Sequence, residues 1–322
     1  MPLFDLPQHE LESYAPERNE PADFRGFWNA TLGEARGHQL DVTCRPHPMA
    51  LELVDAQWLE FAGFGGHRVG AILLRPKGIG ESLPAVVQFL GYGDGTGGPL
   101  DWLAWPAAGY ATLVMDTRGQ GARARRAGRT GDEGGSASAH VEGFLTKGVL
   151  DPADYYYRRV FTDAVRAVEA ARSLPGIDPD RVAVQGTSQG GGIALAASAL
   201  AEGVAAAMVN VPFLCHFRRA LEVTDTAPYA ELLGFVRTHR EAAGRAFATL
   251  AYFDGMTMAA HASAQALFSV ALMDDVCPPS TVYAAYNHYA GPKELTVYPY
   301  NMHEGGGLHH DERQIAWLRD LW

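Results

Sequence analysis

Apolar residues recur along this chain in two rhythms. Gln57-Trp58-Leu59-Glu60-Phe61 and Arg68-Val69-Gly70-Ala71-Ile72-Leu73-Leu74 are short strand-like runs on either side of Gly63-Phe64-Gly65-Gly66. Two such runs around a glycine turn predict an antiparallel hairpin. Farther on the apolar runs become continuous: Ala85 to Leu90, Ala111 to Met115, Val182 to Val184, Ala205 to Asn210, Ala266 to Ala271 and Leu295 to Tyr298. Strands apolar on both faces need cover on both faces. Alternating with helical segments, they predict an α/β fold with a mostly parallel twisted sheet and helices on each side.

Three stretches fall outside that rhythm. Residues 1–50 hold a short helical signal at Phe24-Arg25-Gly26-Phe27-Trp28 and then a loop rich in Pro and His, an N-terminal extension. Residues 119–150 are rich in Gly, Ala and Arg and read as a long loop that could gate a site. Residues 213–262 look helical, with Glu231-Leu232-Leu233-Gly234-Phe235-Val236 as one apolar stripe. They read as a cap inserted above the strand C-termini, where open α/β sheets bind ligands. A plain helical connection is the alternative. The whole, residues 1–322, is read as one domain.

Composition narrows the class. Of 322 residues, 47% are hydrophobic and 20% charged, as in an ordinary globular enzyme. A net charge of −11 argues against nucleic acid or an anionic membrane as partner. The N-terminus shows no basic and apolar leader, and the apolar region from Gly190 to Val211 is broken by Glu202, so neither a secretory signal nor a membrane span is expected. Cys44, Cys215 and Cys277 are few and widely spaced, which fits a reducing cytoplasm.

The candidate chemistry centres on Gly186-Thr187-Ser188-Gln189-Gly190, between the strand-like Arg181-Val182-Ala183-Val184-Gln185 and the helix-like run from Gly191 to Leu200. A serine pinched between strand and helix by glycines is a nucleophile elbow, which exposes Oγ beside a helix N-terminus. Serine needs a base and a group that orients the base. In this architecture the acid follows a late strand and the His follows the last one. Asp274 and Asp275 come directly after the Ala266 to Met273 run, and Asp274, first off the strand, is favoured. His303 comes after the Leu295 to Tyr300 run. A metal reading of His303, His309, His310 and Asp311 matches no zinc spacing, so no metal or other cofactor is expected. The oxyanion donors are the backbone N–H of Gln189, directly after the nucleophile, and that of Tyr92 in Gly91-Tyr92-Gly93, with the Tyr92 side chain either lining the pocket or packing behind it.

These motifs together resemble carbohydrate esterase family seven, the acetyl xylan esterases and cephalosporin C deacetylases. The likeness is carried by Arg118-Gly119-Gln120-Gly121, Gly186-Thr187-Ser188-Gln189-Gly190-Gly191 and His303-Glu304, and it extends over nearly the whole chain. The resemblance implies an α/β-hydrolase fold, a Ser188/Asp274/His303 triad, and oxyanion donors at Tyr92 and Gln189. It implies that Phe213 and Pro228 join Tyr92 around a small acyl pocket, and that Arg118 and Gln120 hold the loop beside the elbow. It implies a cytoplasmic homo-oligomer, often a hexamer, that takes small acetylated substrates such as xylo-oligosaccharides, sugar acetates and cephalosporin C-type acetates. A general short-chain esterase, an acyltransferase or a peptidase are the other chemistries of that fold.

Overall fold

The apolar runs pair into one sheet in the computed structural model, which describes residues 3–80, 82–122, 126–133 and 142–322. Its strands in chain order are β1 (Thr43–Pro46), β2 (Val54–Ala62), β3 (Arg68–Pro76), β4 (Leu83–Phe89), β5 (Ala111–Met115), β6 (Ile177–Thr187), β7 (Ala206–Asn210), β8 (Gln265–Ala271) and β9 (Lys293–Tyr298). Across the sheet they lie in the order β1-β2-β3-β5-β4-β6-β7-β8-β9. The first three pairings are antiparallel and include the β2–β3 hairpin; every pairing from β5–β4 onward is parallel.

The α-helices are α1 (Gln8–Leu11), α2 (Phe24–Arg36), α3 (Ala104–Ala107), α4 (Tyr156–Ser173), α5 (Gln189–Leu200), α6 (Phe217–Val223), α7 (Tyr229–Thr238), α8 (Ala243–Leu250), α9 (Gly255–Ala259), α10 (Pro279–His288) and α11 (Gly307–Leu321). The period of two along each strand sorts them into layers. Val87, Val184 and Val209 pack on the side of α4, α5 and α10 with Val160, Ile193 and Val282. Their neighbours Val86, Ala183 and Met208 pack on the other side with Trp105 of α3 and Leu318 of α11. Each such side chain, taken fully out of water, contributes roughly 1.5–3 kcal/mol.

β4 lies between β5 and β6, so the chain leaves it in one direction and returns on the other side. That topological switch opens a crevice at the strand C-termini. The loop after β4 and the turn after β6 meet there.

Several expectations need adjustment. β9 stops at Tyr298, two residues short of Tyr300, because Pro299 has no N–H for the ladder. β6 begins at Ile177, earlier than its apolar run. β1 lies in the stretch read as loop; it is an exposed edge strand ending in Pro46 and carries no apolar alternation. Residues 213–262 carry α6 to α9. The start of α7 reaches the crevice, whereas α9 is buried. Of the loop 119–150, residues 123–125 and 134–141 lie outside the described residues, and so does the gating role that would rest on them. Among the described residues no helix is long and apolar enough to cross a membrane.

Candidate active site

Ser188 sits between the end of β6 and the start of α5 with φ 60° and ψ −121°. An L-residue at positive φ is strained, and the turn around it is closed by two glycines. A Cβ on Gly186 would lie 2.2 Å from the carbonyl carbon of Gly190, and one on Gly190 would lie 2.3 Å from the Phe89 carbonyl oxygen. No larger residue fits either place without moving backbone. The turn is held from β7, since the Ser188 N–H donates to the Asn210 carbonyl at 3.0 Å.

The other two residues reach Ser188 from the ends of β8 and β9. His303 Nε2 lies 2.9 Å from Ser188 Oγ, and His303 Nδ1 lies 2.9 Å from Asp274 Oδ2. Asp274 is fully buried, and its Oδ1 accepts the backbone N–H groups of Val276 and Cys277, each at 2.9 Å. An ionised carboxylate only accepts, so Nδ1 carries the proton and Nε2 is free to accept from the Ser188 hydroxyl. Asp275 does not join this chain; its carbonyl takes the Thr224 hydroxyl at 2.5 Å.

Tyr92 and Gln189 lie on the two sides of the crevice, and neither backbone N–H donates to a carbonyl among the described residues. Their positions are bolted by a buried amide pair. Gln120 Nε2 donates to Gln189 Oε1 at 2.9 Å, and Gln189 Nε2 lies 3.1 Å from Gln120 Oε1. Gln120 Oε1 also takes the Gly93 N–H at 2.7 Å, while Gln189 Nε2 reaches the Leu90 and Gly91 carbonyls at 3.2 Å. The loop after β4 is thereby tied to the elbow helix. The Tyr157 hydroxyl donates to Gln189 Oε1 at 2.8 Å and the Tyr156 hydroxyl to the Arg118 carbonyl at 2.5 Å. Arg118 forks onto Asp163 with distances of 2.5 and 2.8 Å.

The Tyr92 side chain has its own anchor. Its hydroxyl reaches both Glu231 oxygens at 2.7 Å and accepts the Phe144 N–H at 2.9 Å. Glu231 also takes the N–H groups of Gly143 and Leu145, each at 3.2 Å. Burial raises the Glu231 carboxyl above its usual range despite these donors, and burial with the Glu231 charge pushes the Tyr92 phenol well up. Residues from the loops after β4 and before α4 and from α7 so meet at one carboxylate. Sequence reasoning missed Glu231, Tyr156 and Tyr157. The three consecutive tyrosines Tyr155-Tyr156-Tyr157 are the visible signal, and they lie in a stretch that resembles the family without a role being assigned to them.

A cavity of about 570 Å³ opens over Ser188, lined by Tyr92, Pro228, Glu231, Val276 and His303 among others. Pro228 is on its wall. Phe213 is not: its ring is fully buried, 4.5 Å from that of Tyr229 and 6.1 Å from that of Tyr92 between centroids. The Phe213 N–H donates to the Ser188 carbonyl at 2.9 Å, so its backbone braces the elbow while its ring turns into the core behind Tyr92.

The four residues of the metal reading do not converge. Both ring nitrogens of His310 are engaged, with the Tyr298 hydroxyl at 3.0 Å and Asn210 Oδ1 at 3.1 Å, and burial lowers its pKa to about 4. Among the described residues, the group spaced to hold an ion is Asp274, Cys277 and His303. Two of these are already hydrogen-bonded to each other, and burial, with the Asp274 charge, pushes the Cys277 thiol well up, so it stays protonated. The donor set suits proton transfer rather than ligation.

Residues 1–321 match the model of the acetyl xylan esterase (AXE1) family. The chain is similar to the acetyl esterase Axe7A of Xylanibacter ruminicola, with 29% identity over 299 residues, covering 91% of this chain and 65% of that protein. It thus spans about two thirds of the length of that curated relative. Its backbone is similar to the acetyl xylan esterase from Paenibacillus sp. R4, with TM-score 0.88, 36% identity, and coverage of 98% of this chain and 99% of that one. It is also similar to acetyl xylan esterase 1 from Thermoanaerobacterium sp. JW/SL YS485, with TM-score 0.86, 32% identity and the same coverage of each chain.

Proposed function

Because the chain belongs to the acetyl xylan esterase family and has the α/β-hydrolase fold, we propose that it is a serine esterase that removes acetyl groups from small acetylated alcohols. The observation that carries the reading is the hydrogen-bonded line from Ser188 through His303 to Asp274, with 2.9 Å at each step. Ser188 Oγ attacks the ester carbonyl as its proton passes to His303 Nε2. Asp274 keeps the imidazole in the required tautomer and balances its charge. The carbonyl oxygen, now an oxyanion, accepts from the Tyr92 and Gln189 N–H groups. Collapse breaks the carbon–oxygen bond to the alcohol, which leaves with the proton from His303. Water then attacks the acetyl-serine, giving its proton to His303, and acetate departs as Ser188 is restored.

Acetylated xylo-oligosaccharides, sugar acetates and cephalosporin C-type acetates are the proposed substrates. Pro228, Tyr92 and Val276 line the cavity beside Ser188; in this reading they are the wall next to the acyl carbon, where only a small acyl group is accommodated and forcing in extra methylenes costs roughly 1–3 kcal/mol. The test is hydrolysis of phenyl esters of rising acyl length, with Ser188→Ala and fluorophosphonate labelling as controls. Acetate turns over about tenfold to a hundredfold faster than butyrate, at 1.36 kcal/mol per tenfold. Equal rates on acetate and octanoate, or acetate release by folded Ser188→Ala protein, remove the proposal. The homo-oligomer implied by the family is part of the same reading, and light scattering at the 34.7 kDa monomer mass across dilution removes that part.

A further inference from the structure

Ser188 stands between two cavities. Besides the one walled by Pro228, a second of about 500 Å³ reaches Ser188 on the α3 and α11 side of the sheet. The two share Gly91, Asp94, Arg126 and Ser188. The size falls in the range of cavities that enclose a small ligand, about 300–1,000 Å³.

This second cavity is polar where the strands beneath it are otherwise apolar. Gln88 and Gln185 interrupt the valine-rich runs of β4 and β6 and stand opposite each other in register. They are 8% and 7% exposed. Gln88 Nε2 donates to Gln185 Oε1 at 2.8 Å, which uses one half of each amide. Gln88 Oε1 is buried without a hydrogen-bond partner, and Gln185 Nε2 has none among the described residues. Turning both amides over exchanges the roles and again leaves one carbonyl and one amino group unmatched. The unmatched, buried Gln88 carbonyl costs roughly 1–3 kcal/mol, which valines at both positions would avoid. Early in α11, Asp311 lines the same cavity, half-buried, its carboxyl raised by that burial and unpartnered among the described residues. In the shared wall Arg126 pairs with Asp94, and its guanidinium lies 4.3 Å from the centre of the Trp102 ring.

We propose that this cavity is the alcohol subsite of the esterase, built to hold a polyhydroxylated leaving group such as a pyranose ring. The inference rests on the esterase reading above. The chemistry assigns the two sides. An acetyl group offers only its carbonyl oxygen, which the Tyr92 and Gln189 N–H groups take. Only the alcohol portion brings hydroxyls that donate to Asp311 and accept from Gln185, with Gln88 fixing the Gln185 amide.

Asp311→Asn and Gln185→Leu test it. The quantity read is the ratio of kcat/KM on a mono-acetylated methyl xyloside to kcat/KM on phenyl acetate, which has no hydroxyls and in which general damage to the fold cancels. Each variant lowers the ratio about tenfold, mainly through KM on the sugar ester. An unchanged or raised ratio overturns the subsite, whatever the absolute rates. A parent protein that hydrolyses neither ester overturns the esterase reading and the subsite with it.

Discussion

Replacing Asp274 by Asn tests the proposed triad at its least exposed member. The structure dictates how the new amide must sit. Asp274 Oδ1 accepts two backbone N–H groups, from Val276 and Cys277 at 2.9 Å. An amide nitrogen cannot accept, so the Asn carbonyl has to take the Oδ1 position. Its NH₂ is then forced to the Oδ2 position, 2.9 Å from His303 Nδ1. The imidazole responds by placing its proton on Nε2, where it faces Ser188 Oγ and can no longer accept from it. Shape and burial are kept while the base is removed. An Asp-to-Asn change that imposes the wrong tautomer in a serine protease triad costs about 10⁴ in kcat, close to 5.5 kcal/mol at 1.36 kcal/mol per tenfold. Asp274→Asn is expected to lose activity on phenyl acetate by about that factor, with KM little changed and the thermal midpoint close to that of the parent. Asp275→Asn, whose side chain lies outside the chain of bonds, keeps activity within a few-fold. If Asp274→Asn retains a tenth of the parent kcat, or Asp275→Asn is the more damaged of the two, the tautomer argument is wrong.

Two further predictions concern support rather than chemistry. Tyr92→Phe removes the hydroxyl that links Glu231 to the Phe144 N–H while leaving the Tyr92 backbone donor in place; with hydrogen bonds to a charged group worth roughly 1.5–3 kcal/mol, the variant should melt lower and lose about tenfold in kcat, and unchanged values of both would show that the anchor does not hold the proposed oxyanion loop. Asp132, 1% exposed at its side chain, is pushed up by burial, but hydrogen bonds from Arg159 and Lys147 outweigh that and hold its pKa at about 2, against 3.8 unperturbed. A lowered carboxylate contributes stability above its unfolded pKa and loses it as pH falls through the folded one, so about 2 kcal/mol is lost between pH 4 and pH 2. Asp254, raised to about 6 by burial, acts in the opposite sense, its contribution being complete below pH 3.8 and lost as pH rises through 6. Urea midpoints between pH 5 and pH 2 should fall less steeply for Asp132→Asn than for the parent, and parallel curves would refute the assignment.

What was legible in the chain follows from where partners lie. Ser188, Asp274 and His303 each follow an apolar run that forms a strand, so strand order alone locates them. Glu231 was invisible as a site residue because its partner Tyr92 is 139 residues away and its neighbours read as an apolar helical stripe. Phe213 was placed at the pocket by the family resemblance, which carries no ring direction. Its backbone does meet the elbow, yet its ring turns into the core beside Tyr229. β1 gave no apolar rhythm because an exposed edge strand buries neither face.

The interruptions of the apolar runs carry more information than the runs. A polar side chain in a doubly covered strand costs free energy unless it is matched, so each one should mark a bond worth having. Asn210, at the end of β7, obeys this: its carbonyl holds the Ser188 N–H, its Oδ1 takes His310 and Gln314, and its Nδ2 reaches Thr187 Oγ1. Its polarity is absorbed in fixing α11 and the elbow together. Gln88 and Gln185 satisfy only half of their capacity on each other, although they stand in register on β4 and β6 and Gln185 is three residues before Ser188. Structural bracing accounts for Asn210 fully and for the glutamines only in part. Gln185, whose Nε2 has no partner among the described residues, lines the cavity beside Ser188, where a hydroxylated alcohol would supply the missing acceptor.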